Sequence, residues 1–262
     1  MKMVSVAKLR RVQSGAAAVS AYAAAQQEML SAARAASPAH ENPFLQPRAQ
    51  IKRICCVLLV GNRGLCGNYN QELVRYARTL YDSDPERVFF WVVGRWGADA
   101  IRDAGVPVER RLEGGDAPTP EEAQALTALL KELYLSGGAD EVRLVYQQYR
   151  SVLVQTPGEL TLLPAAAEAS EPSEPYLFEP SPEAVLDALV ESELPCRVYA
   201  ALRECRMGEH AARMSAMTAA SDATEELIER LELELNRARQ GAITTEISEI
   251  VGGANALREN EG

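Results

Sequence analysis

Several features that define common functional classes are missing from this sequence. No apolar run approaches the roughly 18 residues of a membrane-spanning helix, and no secretory signal opens the chain. The two histidines, His40 and His210, adjoin no recognisable cysteine or serine nucleophile motif, which argues against a catalytic triad or a zinc site. The five cysteines have no metal-ligand spacing, and their odd number favours reduced thiols in a cytosolic compartment. A net charge of −10 argues against nucleic acid as the main partner.

Proline is absent from both ends of the chain, which favours long helices there. Residues 1–36 contain none and are dominated by alanine, the best helix former, although Gly15 costs such a helix about 1 kcal/mol. No proline follows Pro195, and apolar residues in positions 209–257 recur at steps of three and four. One stripe is Leu227, Leu231, Leu235, Ala238 and Ala242, and it is followed by Ile243, Ile247, Ile250, Ala254 and Leu257. Such a seam requires a partner helix alongside it. His210 is interpreted as a surface or seam residue of this helix. Residues 1–36 keep the same rhythm, so we expect the two ends to pair as an antiparallel coiled coil.

Residues 51–163 follow a different pattern, in which short apolar runs alternate with helical segments. Strands are predicted near residues 51–60, 87–93, 106–108, 141–149 and 152–163, with helices at 69–81, 96–104 and 121–135. Continuous apolar strands that alternate with helices indicate a mostly parallel sheet covered by helices. The predicted fold is therefore α/β, with a central, mostly parallel sheet domain and a long antiparallel coiled coil formed by the N- and C-terminal helices.

The predicted domain organisation has four parts. They are an N-terminal coiled-coil helix (1–36), the central α/β domain (51–163), an acidic, proline-rich linker (164–182) and a C-terminal coiled-coil helix (183–258). Ser181 is a plausible N-cap of the last helix, with Pro182 at its first position.

The glycine-rich segment after the first predicted strand resembles a phosphate-binding loop at first sight. It reads Gly61-Asn62-Arg63-Gly64-Leu65-Cys66-Gly67 and precedes a predicted helix, where open α/β sheets usually bind phosphate. The third glycine is followed by Asn68 rather than by lysine and a hydroxyl residue, and the glycine steps of three and three do not match the dinucleotide fingerprint. The glycines are therefore interpreted as serving a tight strand-to-helix turn, and no direct nucleotide binding is expected.

Several blocks, in the correct order along nearly the whole chain, resemble one family. The sequence from Glu209 to Met217 (EHAARMSAM), the run NRARQ from Asn236 and the run ITTEISEIVGGA from Ile243 resemble the C-terminal signature of the gamma subunit of F-type ATP synthases. The N-terminal run KMVS with AKLRR, the loop segment RGLCG from Arg63 and the segment FEPSP from Phe178 resemble other blocks of the same family.

This resemblance implies a function that spacing alone does not supply. A gamma subunit is the central rotor shaft of the complex and carries no catalytic site or cofactor of its own. Its partners are the alpha and beta subunits of the F1 ring, the epsilon subunit and the membrane c-ring. Proton flow turns the ring, and the shaft drives the beta-subunit sites through their states for ATP synthesis or hydrolysis. The implied location is peripheral, on the cytoplasmic face of the bacterial plasma membrane.

The resemblance also implies which residues contact partners. The candidates are Lys2, Met3, Arg10, Arg11, Arg237, Arg239 and Gln240, and the conserved structural loop is Arg63, Gly64, Leu65, Cys66 and Gly67. Polar groups suit a rotating surface, since contacts must be strong in some orientations and weak in others. The alternative interpretation is that these side chains are ordinary solvated charges on two helix surfaces.

The sequence departs from the family at a few points. Family members usually carry more helix before the position of Lys2, so either the true start lies upstream or the long helix has an unpaired stretch that exposes its isoleucines. Asn62 stands where aspartate is usual, and Leu235 where tyrosine is common. Two rival functions remain at this point: an α/β nucleotide-using enzyme with helical arms, and a static coiled-coil tether.

Overall fold

The computed structural model describes residues 1–165 and 176–259, without the side chains of residues 16, 17, 20 and 254–259. The chain divides into two compact units, Met1–Ala216 and Met217–Gly262. The predicted linker falls largely outside the described residues, as do the side chains of the seam positions Ala254 and Leu257. Among the helices that are described, none is both long enough and apolar enough to cross a bilayer.

The elements of the chain alternate between helices and strands in its middle part. In chain order they are α1 (Lys2–Gln13), α2 (Ala16–Ala36), β1 (Ile54–Leu59), α3 (Tyr69–Ser83), β2 (Val88–Val93), α4 (Gly97–Asp103), β3 (Val108–Leu112), α5 (Pro120–Leu135), β4 (Glu141–Tyr149), β5 (Gln155–Leu163) and α6 (Pro182–Glu259).

The five strands form one sheet in the order β3-β2-β1-β4-β5. All neighbours are parallel except β4 and β5, which form an antiparallel pair. Every residue of β1 and β2 is buried, as expected for central strands with helices on both faces. Val57 on one face packs in a core with α5 and α6, and Val92 on the other face packs in a core with α3 and α4. The predicted α/β fold with a mostly parallel sheet is confirmed.

α6 is a single helix of 78 residues, and the predicted unbroken stretch is confirmed. It begins where the sequence indicated, since Ser181 Oγ accepts the Ala184 N–H at 3.3 Å as an N-cap. Pro195 lies inside the helix and removes one backbone donor. Buried Leu194 and Val198 on either side of this proline pack in the core, so tertiary packing holds the helix through the interruption.

The prediction of one helix over residues 1–36 is wrong, because the chain breaks between α1 and α2. Gly15 adopts a left-handed conformation with φ of 80°, which favours glycine. The break leaves main-chain carbonyl groups at the end of α1 and just after it without helical donors, and Arg203 of α6 donates to those of Val12 and Ser14. A distant arginine thus stabilises a break that the local sequence signals only by a glycine.

Within the first unit, α1 and α2 run antiparallel to the first part of α6. Arg203, which lies later in α6, donates at 2.7 Å to the carbonyl of Ser14, a residue near the beginning of the chain. Gln26 donates to Ser192 Oγ at 2.9 Å, so a later residue of α2 meets an earlier residue of α6. Buried Leu30 and Ala33 of α2 join the same core as α6.

The second unit is the continuation of α6, and the described side chains of residues 219–253 are all exposed. The isoleucines of the predicted seam are among them: Ile243, Ile247 and Ile250 are 46%, 56% and 66% exposed. Exposed apolar residues at three- and four-residue steps form a surface that fits a protein partner.

Candidate functional site

The carboxyl ends of β1 and β4 form the crevice where an open α/β sheet of this order usually binds a ligand, because the strand order changes direction there. In this protein α6 fills the crevice. The Cys205 thiol lies 3.4 Å from the carbonyl oxygen of Leu59, and the Cys205 carbonyl accepts a 2.8 Å hydrogen bond from the Tyr69 hydroxyl. The N–H of Tyr149 donates to Glu204 Oε1 at 2.7 Å. Protein groups therefore lie where a phosphate would have to bind.

The glycine loop, residues 61–67, makes a tight turn between β1 and α3. The N–H of Gly61 donates to Asn70 Oδ1 at 2.9 Å, and a Cβ on Gly61 would lie only 2.9 Å from that same oxygen. Leu65 and Gly67 have positive φ angles of 61° and 58°. The turn thus depends on a close backbone approach at its beginning and on left-handed backbone near its end.

A buried ion-pair cluster on α6 lies against this loop. Arg206 Nη1 is 2.8 Å from Glu209 Oε2, and Arg213 Nη2 is 2.6 Å from Glu209 Oε1. The three residues are 1%, 2% and 7% exposed, and we refer to them as the arginine clamp. Burial by itself would raise the pKa of Glu209, but attraction by Arg206 and hydrogen bonds from Arg213 outweigh it and lower the pKa. The central carboxylate is therefore ionised.

Both clamp arginines also bind the main chain of the loop region. Arg206 Nη1 donates to the carbonyl oxygen of Val60 at 3.0 Å. Arg213 donates to the carbonyl oxygens of Gly64 and Arg63, each at 3.1 Å. Hydrogen bonds from a charged donor are the stronger kind, so the clamp fixes α6 to the end of the central strand.

A second charged cluster connects α1 to the same region. Lys8 Nζ lies 2.8 Å from Asp116 Oδ2, and Arg63 lies 3.3 Å from the same oxygen. The hydrogen bond from Lys8 is the main reason why the pKa of Asp116 falls to about 2. Asn62 bridges the two clusters, since its Oδ1 accepts from Arg206 at 3.3 Å and its Nδ2 donates to Asp116 at 3.3 Å. Asn62 thus makes specific contacts at a position where the family usually has aspartate.

His210 is buried at 3% exposure, so the prediction that it lies on the surface of the helix is wrong. Its Nδ1 lies 3.1 Å from Arg213 Nη1 and accepts a hydrogen bond from it. Burial lowers the pKa of His210, and the neighbouring Arg213 and Lys8 lower it further. The imidazole is therefore neutral near pH 7 and supports the clamp as an acceptor. No group of three or more histidine, cysteine or acidic side chains in residues 1–165 and 176–259 is arranged to hold a metal ion.

The predicted contact residues lie in two separate groups. Lys2, Met3, Arg10 and Arg11 are exposed on α1 in the first unit. Arg237, Arg239 and Gln240 are exposed in the second unit. The predicted structural loop, residues 63–67, lies instead against the arginine clamp, with Cys66 buried and Leu65 60% exposed.

Sequence reasoning missed the clamp, although part of its signal is local. Glu209 and Arg213 belong to a block that resembles the family, but neither they nor Arg206 are predicted site residues. Arg206 and Glu209 are three residues apart, and Glu209 and Arg213 are four residues apart, so opposite charges lie next to each other on one helix face. Burial distinguishes this cluster from a solvated charge pattern. It depends on a loop far away in the sequence, since the hydrogen bond from Arg213 to Gly64 spans 149 residues.

Comparison with known proteins gives a consistent answer. The sequence matches the ATP synthase family over residues 1–257. It is 40% identical to the ATP synthase gamma chain of Heliobacterium modesticaldum, over 98% of this chain and 92% of that protein. It is 38% identical to the gamma chain of Chlorobaculum parvum, over 99% and 92% of the two chains.

Two solved structures share the fold. A chain of the central stalk and c-ring structure of the Tetrahymena thermophila mitochondrial ATP synthase matches with a TM-score of 0.66 and 22% identity, over 84% of this chain and 97% of that one. A chain of the Euglena gracilis mitochondrial ATP synthase in rotational state 3 matches with a TM-score of 0.63 and 17% identity, over 100% and 96%. The chain therefore shares its fold with chains of these two ATP synthase structures.

Together with the 40% identity to a named relative, this means that the chain belongs to the ATP synthase gamma chain family. Its function is that of the central rotor shaft of an F-type ATP synthase. It is a subunit of the complex and is not catalytic by itself. The enzyme and tether interpretations are thereby set aside.

Proposed function

We propose that this chain rotates inside its own ATP synthase, with the alpha and beta subunits around the second unit and the epsilon subunit and c-ring at the first. Ion flow through the c-ring turns the shaft, and the shaft drives the beta-subunit sites through their states. The observation that carries this proposal is the 78-residue α6, which continues through a stretch of exposed side chains, residues 219–253. A helix that is exposed on every side in isolation fits an environment that surrounds it.

The composition of the second unit supports a rotating contact rather than a fixed one. Between Asp222 and Glu234 there are six acidic residues and one arginine, interspersed with exposed Leu227 and Leu231. Polar and charged groups around a narrow apolar seam allow contacts whose strength changes with orientation, whereas a broad apolar patch would hold one partner permanently.

We assign the partner contacts to the exposed residues that the family resemblance implied. They are Lys2, Met3, Arg10 and Arg11 on α1, and Arg237, Arg239 and Gln240 on the second unit. The proposed location is the cytoplasmic face of the bacterial plasma membrane, where the complex would hold this chain peripherally. Bacterial relatives of nearly the same length support this location.

Locking the second unit to the surrounding ring tests the rotor function. Leu235 is 68% exposed, so Leu235→Cys offers a thiol that can form a disulfide with a cysteine introduced into a neighbouring beta subunit. We expect oxidation to stop both ATP hydrolysis and ATP synthesis in membrane vesicles, because a shaft held to the ring cannot turn. Reduction of the disulfide should restore both. If a fully cross-linked complex keeps its turnover, the chain acts as a static tether and the proposal is contradicted.

Replacing Arg239 and Gln240 by alanine tests the assigned contacts. We expect the rate of coupled ATP synthesis to fall at least about fivefold, the effect of losing one polar contact of about 1 kcal/mol. The free energy of unfolding should change by less than about 0.5 kcal/mol, because both side chains are exposed. Arg75→Ala on α3, another exposed arginine, is the matched control and should leave synthesis unchanged. Wild-type synthesis in the double variant would remove both residues from the contact set.

A further inference from the structure

A shaft transmits torque only if its long helix cannot turn about its own axis within the base. α6 is one helix whose residues belong to both units, so any torque on residues beyond 216 passes along it. Close to the glycine loop, the positions that α6 buries include Gly208 and Ala211, whose small or absent side chains form shallow ridges. The larger buried side chains of α6, among them Leu194, Val198 and Leu202, lie earlier in the helix. Shallow ridges resist rotation of a helix weakly, because packing depends on side chains that interdigitate. Directional bonds near the loop therefore add a resistance to rotation that apolar packing there does not supply.

We propose that the arginine clamp is this fixing device, and that its three residues are positioning residues for rotary coupling. They lock the axial rotation and the axial position of α6 to the end of β1, so that torque passes between base and shaft without slip. This inference rests on the rotor function proposed above, and it assigns that function's mechanical joint to Arg206, Glu209 and Arg213.

The geometry of the clamp fits a joint. Arg206 and Arg213 are seven residues apart, so they lie on one stripe of the helix and about 10 Å apart along its axis. The first binds the carbonyl of Val60 and the second binds the carbonyls of Arg63 and Gly64. Two attachment points on one stripe oppose both sliding and turning. Glu209 lies between them and holds both guanidinium groups in position at 2.8 and 2.6 Å.

One anchor of the joint lies at the end of the central strand. Val60 directly follows β1, the strand that is hydrogen-bonded to β2 on one side and β4 on the other. Its carbonyl oxygen also limits the space at Gly94, where a Cβ would lie 2.5 Å away. The Val60 acceptor of the clamp therefore belongs to backbone that has little freedom to follow a turning helix.

Energetics separate this role from simple stabilisation of the fold. Removing one member of a buried ion-pair cluster is strongly destabilising, but replacing the whole cluster by apolar residues of similar size is often neutral or stabilising. An apolar cluster keeps the packing and loses the directional bonds. If the clamp is a joint, such a replacement uncouples rotation while it spares the fold.

The test is the triple variant Arg206→Met, Glu209→Leu, Arg213→Met, assembled with the other subunits of the complex in inverted membrane vesicles. Two quantities are measured, the rate of ATP hydrolysis and the rate of ATP-driven proton pumping. We expect hydrolysis to be retained and the protons pumped per ATP hydrolysed to fall to less than half. Loss of one charge-assisted hydrogen bond raises the population of the state in which α6 is turned or shifted relative to β1 by about tenfold or more. This change is large enough for the expected fall in protons pumped per ATP. Unfolding of the isolated variant should occur at or above the wild-type temperature.

A conservative variant and a control complete the design. Arg213→Lys keeps the charge but loses the planar fork that binds two carbonyls and Glu209 together, so it should assemble and show a smaller fall in pumping per ATP. Replacing Lys131 and Glu191, a partly exposed ion pair between α5 and α6, by glutamine should leave the ratio unchanged.

The outcomes separate the clamp from the rotor function itself. Wild-type pumping per ATP in the assembled triple variant would show that the clamp is structural only. If the triple variant does not assemble, Arg213→Lys decides, and an unchanged ratio in that variant overturns the inference. A wild-type chain that assembles but supports no pumping in the same vesicles would instead contradict the rotor function and would leave the clamp irrelevant to it.

Discussion

Replacing Glu209 by alanine is expected to destabilise the folded chain by about 3–5 kcal/mol, the usual effect of breaking a buried ion pair on one side. The substitution leaves Arg206 and Arg213 buried next to one another without their shared carboxylate. Neither guanidinium can neutralise itself by losing a proton, because arginine is not deprotonated in proteins. The free energy of unfolding, measured by urea denaturation of the full chain with circular dichroism, should therefore fall by this amount.

Glu229→Ala is the matched control for this prediction. Glu229 lies on the same helix but is exposed, so its replacement should change the free energy of unfolding by no more than about 0.5 kcal/mol. Equal midpoints for the two variants would mean that the clamp carries no uncompensated charge after the substitution. In that case water must reach the cluster and solvate the two guanidinium groups.

The second large effect is expected at Gly94, where substitution by alanine should destabilise the fold by about 2–6 kcal/mol. Two separate causes add here. Gly94 has a φ of 124°, a conformation that residues with a side chain rarely adopt, and a Cβ would lie 2.5 Å from the carbonyl oxygen of Val60. Because this oxygen accepts a hydrogen bond from Arg206, a shift of Val60 also disturbs the arginine clamp. Thermal unfolding of the purified variant measures the combined effect.

Gly137→Ala separates the two causes. Gly137 also has a positive φ, 75°, but a Cβ there would meet nothing within 4 Å. This variant carries the backbone strain alone, so it should lose only about 1–2 kcal/mol. If Gly94→Ala were no more destabilising than Gly137→Ala, the close approach to Val60 would have no energetic consequence.

The fold was largely predictable from the sequence because its signals are local. The apolar run that forms β1 and the Thr119–Pro120 start of α5 each need only a few neighbouring residues to be recognised. α5 indeed begins with a capping box between Thr119 and Glu122. The break at Gly15 was not predictable, because it depends on a distant residue. The hydrogen bond from Arg203 to the carbonyl of Ser14 spans 189 residues of the chain.

The site was predictable only in part, for the same physical reason. The glycines of residues 61–67 indicated a tight turn because glycine has a conformational meaning wherever it occurs. The arginine clamp gave no comparable signal, since a run of charges on a helix is usually solvated and only tertiary contacts bury it. The contact residues Arg237, Arg239 and Gln240 are exposed in this chain, so their roles remain predictions about partners.

The exposed seam of the second unit has a consequence for biosynthesis. Residues 217–259 leave the ribosome after the strands of the sheet and the first turns of α6 have been made. The exposed aliphatic side chains of the seam are thus made only when the sheet is already available to fold. The six acidic residues between Asp222 and Glu234 repel a second copy of the same helix, which discourages premature pairing of newly made chains.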